Sequence, residues 1–260
     1  MAVLKAVVFD WAGTLIDFGS RAPVLSFVAA FARFGVAVSE AEARAPMGKG
    51  KRDHIRAMLA MPGVAACWQA AHGAPPGEPE AQSIFAAFEP AMAEMVAAHA
   101  TAIPGAAAAM ADARARGLKV ATTTGYTRAI MARVMPLAAA QGLVPDAIVC
   151  AGDMAEDRPA PLGMDRLMAD LGVWPAATVL KVDDTAPGIG EGRNAGCVTV
   201  GLALSGNAVG LTLDALSALP LPEVARLRAD ATAALRAAGA DHVIDSVADL
   251  PALIARLAQA

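Results

Sequence analysis

The chain has 260 residues, long enough to bury a core in one large or two modest domains. Apolar residues make up 56% of it, but many are alanines, which favour helices and add little hydrophobic surface, so the composition indicates a helix-rich globular protein rather than a membrane protein. The formal net charge of −4 provides no basic surface of the kind that binds nucleic acid and is better suited to a small-molecule substrate.

Targeting signals and membrane spans are not expected. The apolar run before Asp10 is too short for a signal peptide. Residues 57–77 and 194–213 contain no Lys, Arg, Asp or Glu, but polar residues, glycines and prolines interrupt both stretches, so neither is predicted to cross a bilayer. We therefore expect a cytoplasmic protein without membrane contact.

The chain begins with a short apolar strand at residues 3–9 that ends in Asp10. Such a run is typical of a buried parallel strand, and open α/β sheets bind their ligands at the carboxyl ends of these strands. About eighty residues with helical periodicity follow. The predicted helices here are residues 23–34, residues 40–45, a helix that begins near Lys51 and is broken at Pro62, and residues 80–100, with a turn-rich loop at 74–79.

From residue 103 onward, strands and helices alternate. The predicted helices are residues 106–116, 128–141, 162–171, 190–194 and 221–238 and a last one from Leu250, and the predicted strands are 118–123, 146–150, 178–182, 197–202 and 242–244. This alternation predicts an α/β fold with a doubly wound, mostly parallel sheet. The earlier helices predict an all-helical cap domain, residues 20–99, inserted after the first strand of a core domain made of residues 1–19 and 100–260.

Polar groups stand at the ends of the predicted strands. Asp10 follows the first, Thr124-Gly125 the second, Arg158 comes shortly after the third, and Asp183-Asp184 follow the fourth. A carboxylate nucleophile, a hydroxyl with a backbone amide, a cation and further carboxylates for Mg²⁺ are what phosphoryl transfer through an aspartyl-phosphate requires. We therefore expect these groups to meet in one crevice.

The same residues carry a family resemblance. Asp10-Trp11-Ala12-Gly13-Thr14, then Thr124-Gly125, then Asp184, with a helical insert after the first, resemble the haloacid dehalogenase superfamily. The resemblance implies that Asp10 is the nucleophile. Phosphatases and mutases of that superfamily carry an acid/base Asp two residues later, where this chain has Ala12.

A narrower resemblance extends over the cap, the core and the tail. Residues 9–14, 47–54, 123–128, 158–161 and 191–196 together resemble the phosphonoacetaldehyde hydrolases, a family of that superfamily. This resemblance implies that phosphonoacetaldehyde is split into acetaldehyde and phosphate during 2-aminoethylphosphonate breakdown. Because direct P–C cleavage would expel a carbanion, an electron sink is needed, and the resemblance assigns it to an imine on Lys51.

Further roles follow from the resemblance. Thr124, the Gly125 amide and Arg158 hold the phosphonyl oxygens, and Mg²⁺ lies between Asp10, the Ala12 carbonyl and Asp184. His54, three residues from Lys51 on a helix, is either a proton relay or a packed histidine. Met47 and Tyr126 either contact the substrate or pack in the core.

Two positions depart from the family pattern. Gly188 stands where many superfamily members carry another metal-binding Asp, four residues after the position of Asp184. Asp183 is a possible substitute, and which of Asp183 and Asp184 binds the ion is left open, with Asp184 favoured. Asp157 stands where a Gly is expected before Arg158.

The sequence is compatible with two other functions. A phosphatase of the same superfamily that acts on small phosphate monoesters is the main alternative, although Ala12 argues against it. A catalytically silent binding protein is a second. By analogy with the family we expect a homodimer, with the apolar helix at residues 26–34 as a candidate contact.

Overall fold

A computed structural model of the chain describes residues 3–259, except for the side chain of Ala97. Six strands form one sheet with the order β3-β2-β1-β4-β5-β6, and all neighbouring strands are parallel. The strands are β1 (Ala6–Phe9), β2 (Lys119–Thr127), β3 (Ala147–Ala151), β4 (Val179–Asp183), β5 (Val198–Leu202) and β6 (His242–Ile244). This is a doubly wound sheet, as predicted, and its order reverses beside β1, where such folds place their ligand crevice.

Twelve α-helices accompany the described sheet. Five lie in the predicted cap: α1 (Arg21–Ala32), α2 (Glu40–Arg44), α3 (Lys51–Leu59), α4 (Pro62–His72) and α5 (Glu78–His99). The others are α6 (Ala106–Ala115), α7 (Arg128–Ala139), α8 (Leu162–Leu171), α9 (Ala186–Asn194), α10 (Leu213–Ser217), α11 (Leu221–Ala237) and α12 (Leu250–Gln259). None of the described helices is long and apolar enough to cross a membrane.

The elements differ from the predictions most clearly in four places. Pro62 begins the separate helix α4, because the first position of a helix needs no N–H group. Strand β2 continues to Thr127 rather than ending at 123. Helix α9 begins at Ala186 rather than 190, with the Thr185 side chain as its N-cap. The short helix α10 was not predicted.

The helices of the predicted cap pack around α5, which contacts α1 and α3 and also reaches α7. The rings of Phe27 and Phe88 stack with centroids 4.3 Å apart. Phe27 and Phe31 are fully buried within their own chain, so these side chains of the 26–34 segment are not available to a second subunit. The boundaries of the core and cap domains stay a prediction.

Candidate active site

Side chains from the ends of neighbouring strands meet in one crevice. Asp10 directly follows β1, and Nη1 of Arg158, in the loop after β3, donates to its Oδ1 at 2.8 Å across 148 residues of sequence. Most of the predicted site residues line a single pocket, namely Asp10, Ala12, Met47, Lys51, Thr124, Gly125, Tyr126 and Arg158. Its open space is about 20 Å³, enough for one water molecule, so the site is narrow.

The Asp10 carboxyl is buried among charges of both signs. Burial and then the neighbouring Asp183 carboxylate raise the pKa of Asp10 to about 6, against the opposing effects of Arg158 and Lys181. A carboxylate held beside a guanidinium, in a site that excludes bulk water, is suited to act as a nucleophile toward a phosphorus centre.

Three carboxylates converge at this point. Asp10, Asp183 and Asp184 each offer an oxygen, and these oxygens all lie within 4.8 Å of one another. Successive strand residues point to opposite faces, but β4 ends at Asp183 and the chain bends at Asp184, so both side chains approach Asp10. Burial, with repulsion from Asp10 and Asp183, holds the pKa of Asp184 well above its usual range.

The Asp184 side chain is fixed by two loops. Its Oδ1 accepts a hydrogen bond from the Thr14 hydroxyl at 3.3 Å, and its Oδ2 accepts one from the backbone N–H of Asn207 at 2.7 Å. Both partners belong to loops that follow strands of the core sheet. Asp184 is thereby oriented toward the other two carboxylates.

Arg158 belongs to a buried network of charged residues that was not predicted from the sequence. Nζ of Lys181 lies 3.2 Å from Glu191 Oε2 and donates to the Thr123 hydroxyl at 2.6 Å. Nε of Arg158 lies 2.9 Å from the same Glu191 oxygen. The available signal was a lysine inside the apolar strand Val179–Asp183, since a charged residue in a buried strand requires a partner.

The network carries more negative than positive charge. Lys51 aside, four buried carboxylates face two buried cations, an excess of two negative charges when all are ionised. The carboxylates are Asp10, Asp183, Asp184 and Glu191, and the cations are Arg158 and Lys181. A divalent cation among the carboxylates would compensate this excess.

Lys51 begins helix α3, and its side chain is only 4% exposed. Its Nζ lies 5.5 Å from the centre of the Phe27 ring and 5.3 Å from that of Tyr126, and it makes no ion pair with the described residues. Burial lowers the pKa of Lys51 to about 8, although the Asp10 carboxylate acts in the opposite direction. A substantial fraction of neutral amine is therefore present near neutral pH.

Residues 47–50, the loop before α3, pack closely against residues that follow the strands of the sheet. Gly48 has a φ of +92°, and a Cβ atom there would lie 2.3 Å from Oγ1 of Thr185. A Cβ atom at Gly125 would lie 3.0 Å from the carbonyl oxygen of Lys49. Glycine at both positions permits this close approach, which delivers Lys51 to the pocket.

The predicted substrate residues of β2 lie in an irregular part of that strand. Pairing with β3 shifts register between Thr123 and Thr127, and bulges of this kind redirect side chains beside active sites. Oγ1 of Thr124 accepts a hydrogen bond from the Tyr126 N–H at 3.1 Å. Burial and the nearby carboxylates raise the pKa of Tyr126 well above its usual range, so the phenol is neutral.

His54 is fully buried, and its ring stacks on Phe27 with the centroids 3.8 Å apart. Nε2 lies 2.9 Å from the Ala43 carbonyl oxygen, which only accepts, so Nε2 carries the proton and donates. Nδ1 is buried without a hydrogen-bond partner among the described residues. Burial and the nearby Lys51 lower the pKa of His54 well below its ordinary value, which leaves Nδ1 as a free acceptor.

Comparison with known proteins identifies the family. A sequence model of the haloacid dehalogenase-like hydrolases matches residues 4–196. A phosphonoacetaldehyde hydrolase of Paraburkholderia phytofirmans is 47% identical, over 100% of this chain and 98% of its own length. One from Pseudomonas aeruginosa is 42% identical, over 99% of this chain and 95% of its own.

Comparison with solved structures gives the same fold and supports the same family. A phosphonoacetaldehyde hydrolase-like protein from Oleispira antarctica superposes with a TM-score of 0.97 at 40% identity, over 99% of this chain and 94% of its own. A predicted phosphoglycolate phosphatase from Haemophilus somnus, 18% identical with a TM-score of 0.70 over 97% of this chain and 99% of its own, shares the fold. The protein is therefore a hydrolase of the haloacid dehalogenase-like type and belongs to the phosphonoacetaldehyde hydrolase family.

Proposed function

We propose that the protein hydrolyses the P–C bond of phosphonoacetaldehyde to acetaldehyde and phosphate. The observation that carries this proposal is a narrow pocket lined by a lysine of lowered pKa, Lys51, together with Asp10 and Arg158. An amine for the aldehyde and a nucleophile for the phosphorus are then available to the two ends of one small substrate. The names of the relatives support the same substrate.

The first step is condensation of the aldehyde with Lys51. The neutral amine adds to the carbonyl carbon, water leaves, and a protonated imine forms. Nδ1 of His54, three residues away on α3, has no hydrogen-bond partner among the described residues and is a candidate relay for the proton that this step moves, but its lowered pKa means that it would hold that proton only transiently. The imine then accepts the electron pair of the breaking P–C bond.

The second step is attack of the Asp10 carboxylate on phosphorus. The P–C bond breaks, an enamine forms on Lys51, and the phosphoryl group remains as an aspartyl-phosphate. Protonation of the enamine carbon and addition of water release acetaldehyde and regenerate Lys51, while a second water hydrolyses the aspartyl-phosphate. An enamine needs no proton on a leaving oxygen, which agrees with Ala12 at the position of the phosphatase acid.

Three groups are suited to bind the phosphonyl oxygens. Arg158 is held by ion pairs with Asp10 and Glu191, so its guanidinium is in position before the substrate binds. The Thr124 hydroxyl and the Gly125 amide line the same pocket. Together they provide the charge-assisted hydrogen bonds that a transferring phosphoryl group requires.

The carboxylate cluster fits a divalent cation. Asp10, Asp183 and Asp184 offer oxygens within 4.8 Å of one another, and burial, with repulsion from Asp10 and Asp183, raises the pKa of Asp184. Oxygen ligands of this kind suit Mg²⁺, and we propose that Asp10, Asp184 and the Ala12 carbonyl hold it, with Asp183 as a further candidate. The ion would offset repulsion between the carboxylates and the anionic substrate.

Substrate entry requires the site to open. The pocket holds about 20 Å³ of open space, too little for phosphonoacetaldehyde. We propose that residues 20–99 are a cap domain that moves relative to the core formed by 1–19 and 100–260. A larger cavity of about 370 Å³, bordered by Lys51, Arg52 and Phe85, lies on the approach to the amine.

Two further proposals come from the family alone. The first is a place in 2-aminoethylphosphonate breakdown. The second is a homodimer, with a contact other than the buried Phe27 and Phe31. Light scattering during gel filtration should give twice the chain mass of 26.3 kDa.

The test of the function is release of acetaldehyde and phosphate from phosphonoacetaldehyde with Mg²⁺. Wild type should release both, and Lys51→Arg should release neither, because a guanidinium does not form the imine. Borohydride added during turnover should leave an adduct on Lys51, located by mass spectrometry of peptides. Lys119→Arg, an exposed control at the start of β2, should behave as wild type.

The alternatives predict different results. An adduct on another lysine, or turnover retained by Lys51→Arg, would contradict the imine route. Hydrolysis of p-nitrophenyl phosphate by both proteins, with no acetaldehyde from phosphonoacetaldehyde, would indicate the phosphatase. A catalytically silent protein would act on neither compound.

A further inference from the structure

The hydroxyl of Thr123 connects three buried charged side chains. Its oxygen accepts one hydrogen bond from Nη2 of Arg158 at 2.5 Å and another from Nζ of Lys181 at 2.6 Å. The hydroxyl proton is donated to Oε2 of Glu191 at 2.7 Å. A hydroxyl has one proton and two lone pairs, so these three bonds use its whole capacity and the direction of each bond is fixed. Thr123 is only 1% exposed, so water does not compete for them.

Two glycines leave the space that brings the Glu191 carboxylate to Thr123. Gly192 lies beside Glu191 on α9, and a Cβ atom there would lie 2.6 Å from Cβ of Lys181 on β4. Gly163 lies in the first turn of α8, and a Cβ atom there would lie 2.7 Å from Oε1 of Glu191 and 3.6 Å from Cγ2 of Thr123. Neither glycine has a positive φ, so close packing rather than backbone conformation accounts for both.

The same contacts hold the guanidinium of Arg158 through nitrogens other than the one that contacts Asp10. Nη1 donates to Asp10 at 2.8 Å, whereas Nη2 donates to Thr123. Nε lies 2.9 Å from Oε2 of Glu191, in an ion pair whose N–H is not aligned for a hydrogen bond. Because a guanidinium is planar and rigid, contacts at three of its nitrogens determine both its position and its plane.

Compensation of the Lys181 charge does not by itself explain the Thr123 hydroxyl. Nζ of Lys181 lies 3.2 Å from Glu191 and 3.1 Å from Asp183, so the lysine has two carboxylate partners without the hydroxyl. What the hydroxyl adds is a bond between this buried pair of charges and Arg158. The arrangement therefore favours a role in the placement of the guanidinium.

The proposed reaction makes this second anchor useful. On that route the Asp10 carboxylate becomes an aspartyl-phosphate and loses its own negative charge, so its hydrogen bond from Arg158 weakens. The bonds to Thr123 and Glu191 involve no reacting atom and are unchanged. Arg158 is then still held while the phosphoryl group is transferred and hydrolysed.

We propose that Thr123 is a positioning residue that, together with Glu191 and Lys181, holds the Arg158 guanidinium in the orientation that binds the phosphoryl oxygens. The proposal rests on the proposed function, because it takes Arg158 to be a group that binds those oxygens. Thr123 differs in this from the next residue, Thr124, which lines the active-site pocket. Thr123 does not line that pocket and acts through Arg158.

The experiment measures the affinity for inorganic phosphate by calorimetry in MgCl₂, together with Tm. Thr123→Val keeps the shape of the side chain but removes the hydroxyl, and it should weaken phosphate binding about tenfold and lower Tm. Thr123→Ser restores the hydroxyl and should bind phosphate within about threefold of wild type. Thr122→Val is the matched control, because Thr122 is also buried in β2 but its hydroxyl has no hydrogen-bond partner among the described residues. Its phosphate affinity should equal that of wild type.

Two further variants separate positioning from a general loss of structure. In Arg158→Met, which lacks the guanidinium, adding Thr123→Val should change phosphate affinity by less than about twofold, because the hydroxyl acts only through Arg158. Glu191→Gln removes the charge that pairs with Arg158 and should weaken phosphate binding about threefold or more. This variant decides the question if Thr123→Val does not fold.

The proposal would be overturned by a folded Thr123→Val, or by Glu191→Gln in its place, that has a lowered Tm but wild-type phosphate affinity. A tenfold loss from Thr123→Val that persists in Arg158→Met would also overturn it, as would a wild type that binds no phosphate. Since binding is measured without turnover, a wild type that binds phosphate through Arg158 but releases no acetaldehyde would refute the proposed function and not this inference.

Discussion

The amine of Lys51 is neutral in a larger fraction of molecules at pH 7 than the amine of a lysine exposed to water. An ordinary lysine with a pKa near 10.5 is neutral in only about one molecule in 3,000 at pH 7, whereas a pKa of about 8 gives about one in ten. Burial produces this shift because it penalises the ammonium more than the amine. The aromatic rings of Phe27 and Tyr126 form much of the surroundings that exclude water.

The lowered pKa of Lys51 predicts a pH profile. Because the neutral amine is the reactive form and the folded-state pKa is about 8, acetaldehyde release should rise about tenfold per pH unit below 8 and level off above it. Initial rates between pH 6.5 and 9.5, at saturating Mg²⁺, would measure this. A rate that still rises about tenfold per pH unit at pH 9.5 would instead mean that the amine is solvated during turnover.

At the scale of elements, the loop before α3 decides where Lys51 lies. Residues 47–50 lie between the end of β2 and the start of α9, and Gly48 contacts Thr185 closely. Gly50 precedes Lys51 as the N-cap of α3 and lies against Asp157, the residue that departs from the family pattern. The lysine is thus positioned by contacts between the cap segment and the core.

Gly48→Ala tests this positioning. The variant should lower turnover at least about tenfold, because the new methyl group must push the loop away from Thr185, and misplaced catalytic groups are costly. Gly73→Ala is a matched control, since Gly73 also has a positive φ of +76° but nothing within 4 Å of the added atom. Both variants should lose about 1–2 kcal/mol of stability from left-handed backbone strain.

The comparison of kcat and Tm separates the two effects. If Gly73→Ala keeps full turnover and Gly48→Ala loses it at a similar Tm, the contact with Thr185 positions the lysine. Equal turnover in the two variants would show that the loop adjusts without displacing Lys51.

At the scale of the whole molecule, the sheet order determines which charges meet. Strand β1 lies between β2 and β4, so Asp10 faces groups from both halves of the doubly wound sheet. The result is a buried cluster that, with all its groups ionised and Lys51 left out, has an excess of two negative charges, and three of its carboxylate oxygens lie within 4.8 Å of one another. Without a cation, repulsion between these carboxylates destabilises the folded protein.

Magnesium should therefore stabilise the fold. A cation that binds only the folded state adds about 2.7 kcal/mol at a free concentration about 100 times its Kd. For a chain of this size that corresponds to a rise in Tm of about 5–10 °C. Differential scanning calorimetry with MgCl₂, with NaCl of equal ionic strength as the control, would measure it, and an unchanged Tm would contradict the metal site.

Several site residues were predictable because their signals are local. Asp10 and Arg158 follow strands that the apolar pattern already indicated, Thr124 lies near the carboxyl end of another, and parallel strands bring their carboxyl ends together. The predicted helices and strands agree with the structure apart from shifted boundaries, the separate helix α4 and the short helix α10, which was not predicted. The roles of these residues in the reaction stay predictions.

Other features had no local signal. Lys181 and Glu191 meet through Thr123, which is 68 residues from Glu191 in the chain, and the close approach of Gly192 to Lys181 depends on how α9 packs against β4. The sequence by itself determined the alternating elements, the doubly wound sheet and the chemistry at the strand ends, because periodicity and strand boundaries are properties of neighbouring residues. Only the tertiary structure decided which carboxylates converge, which cations compensate them and how deeply Lys51 is buried, because these depend on distances between residues far apart in the chain.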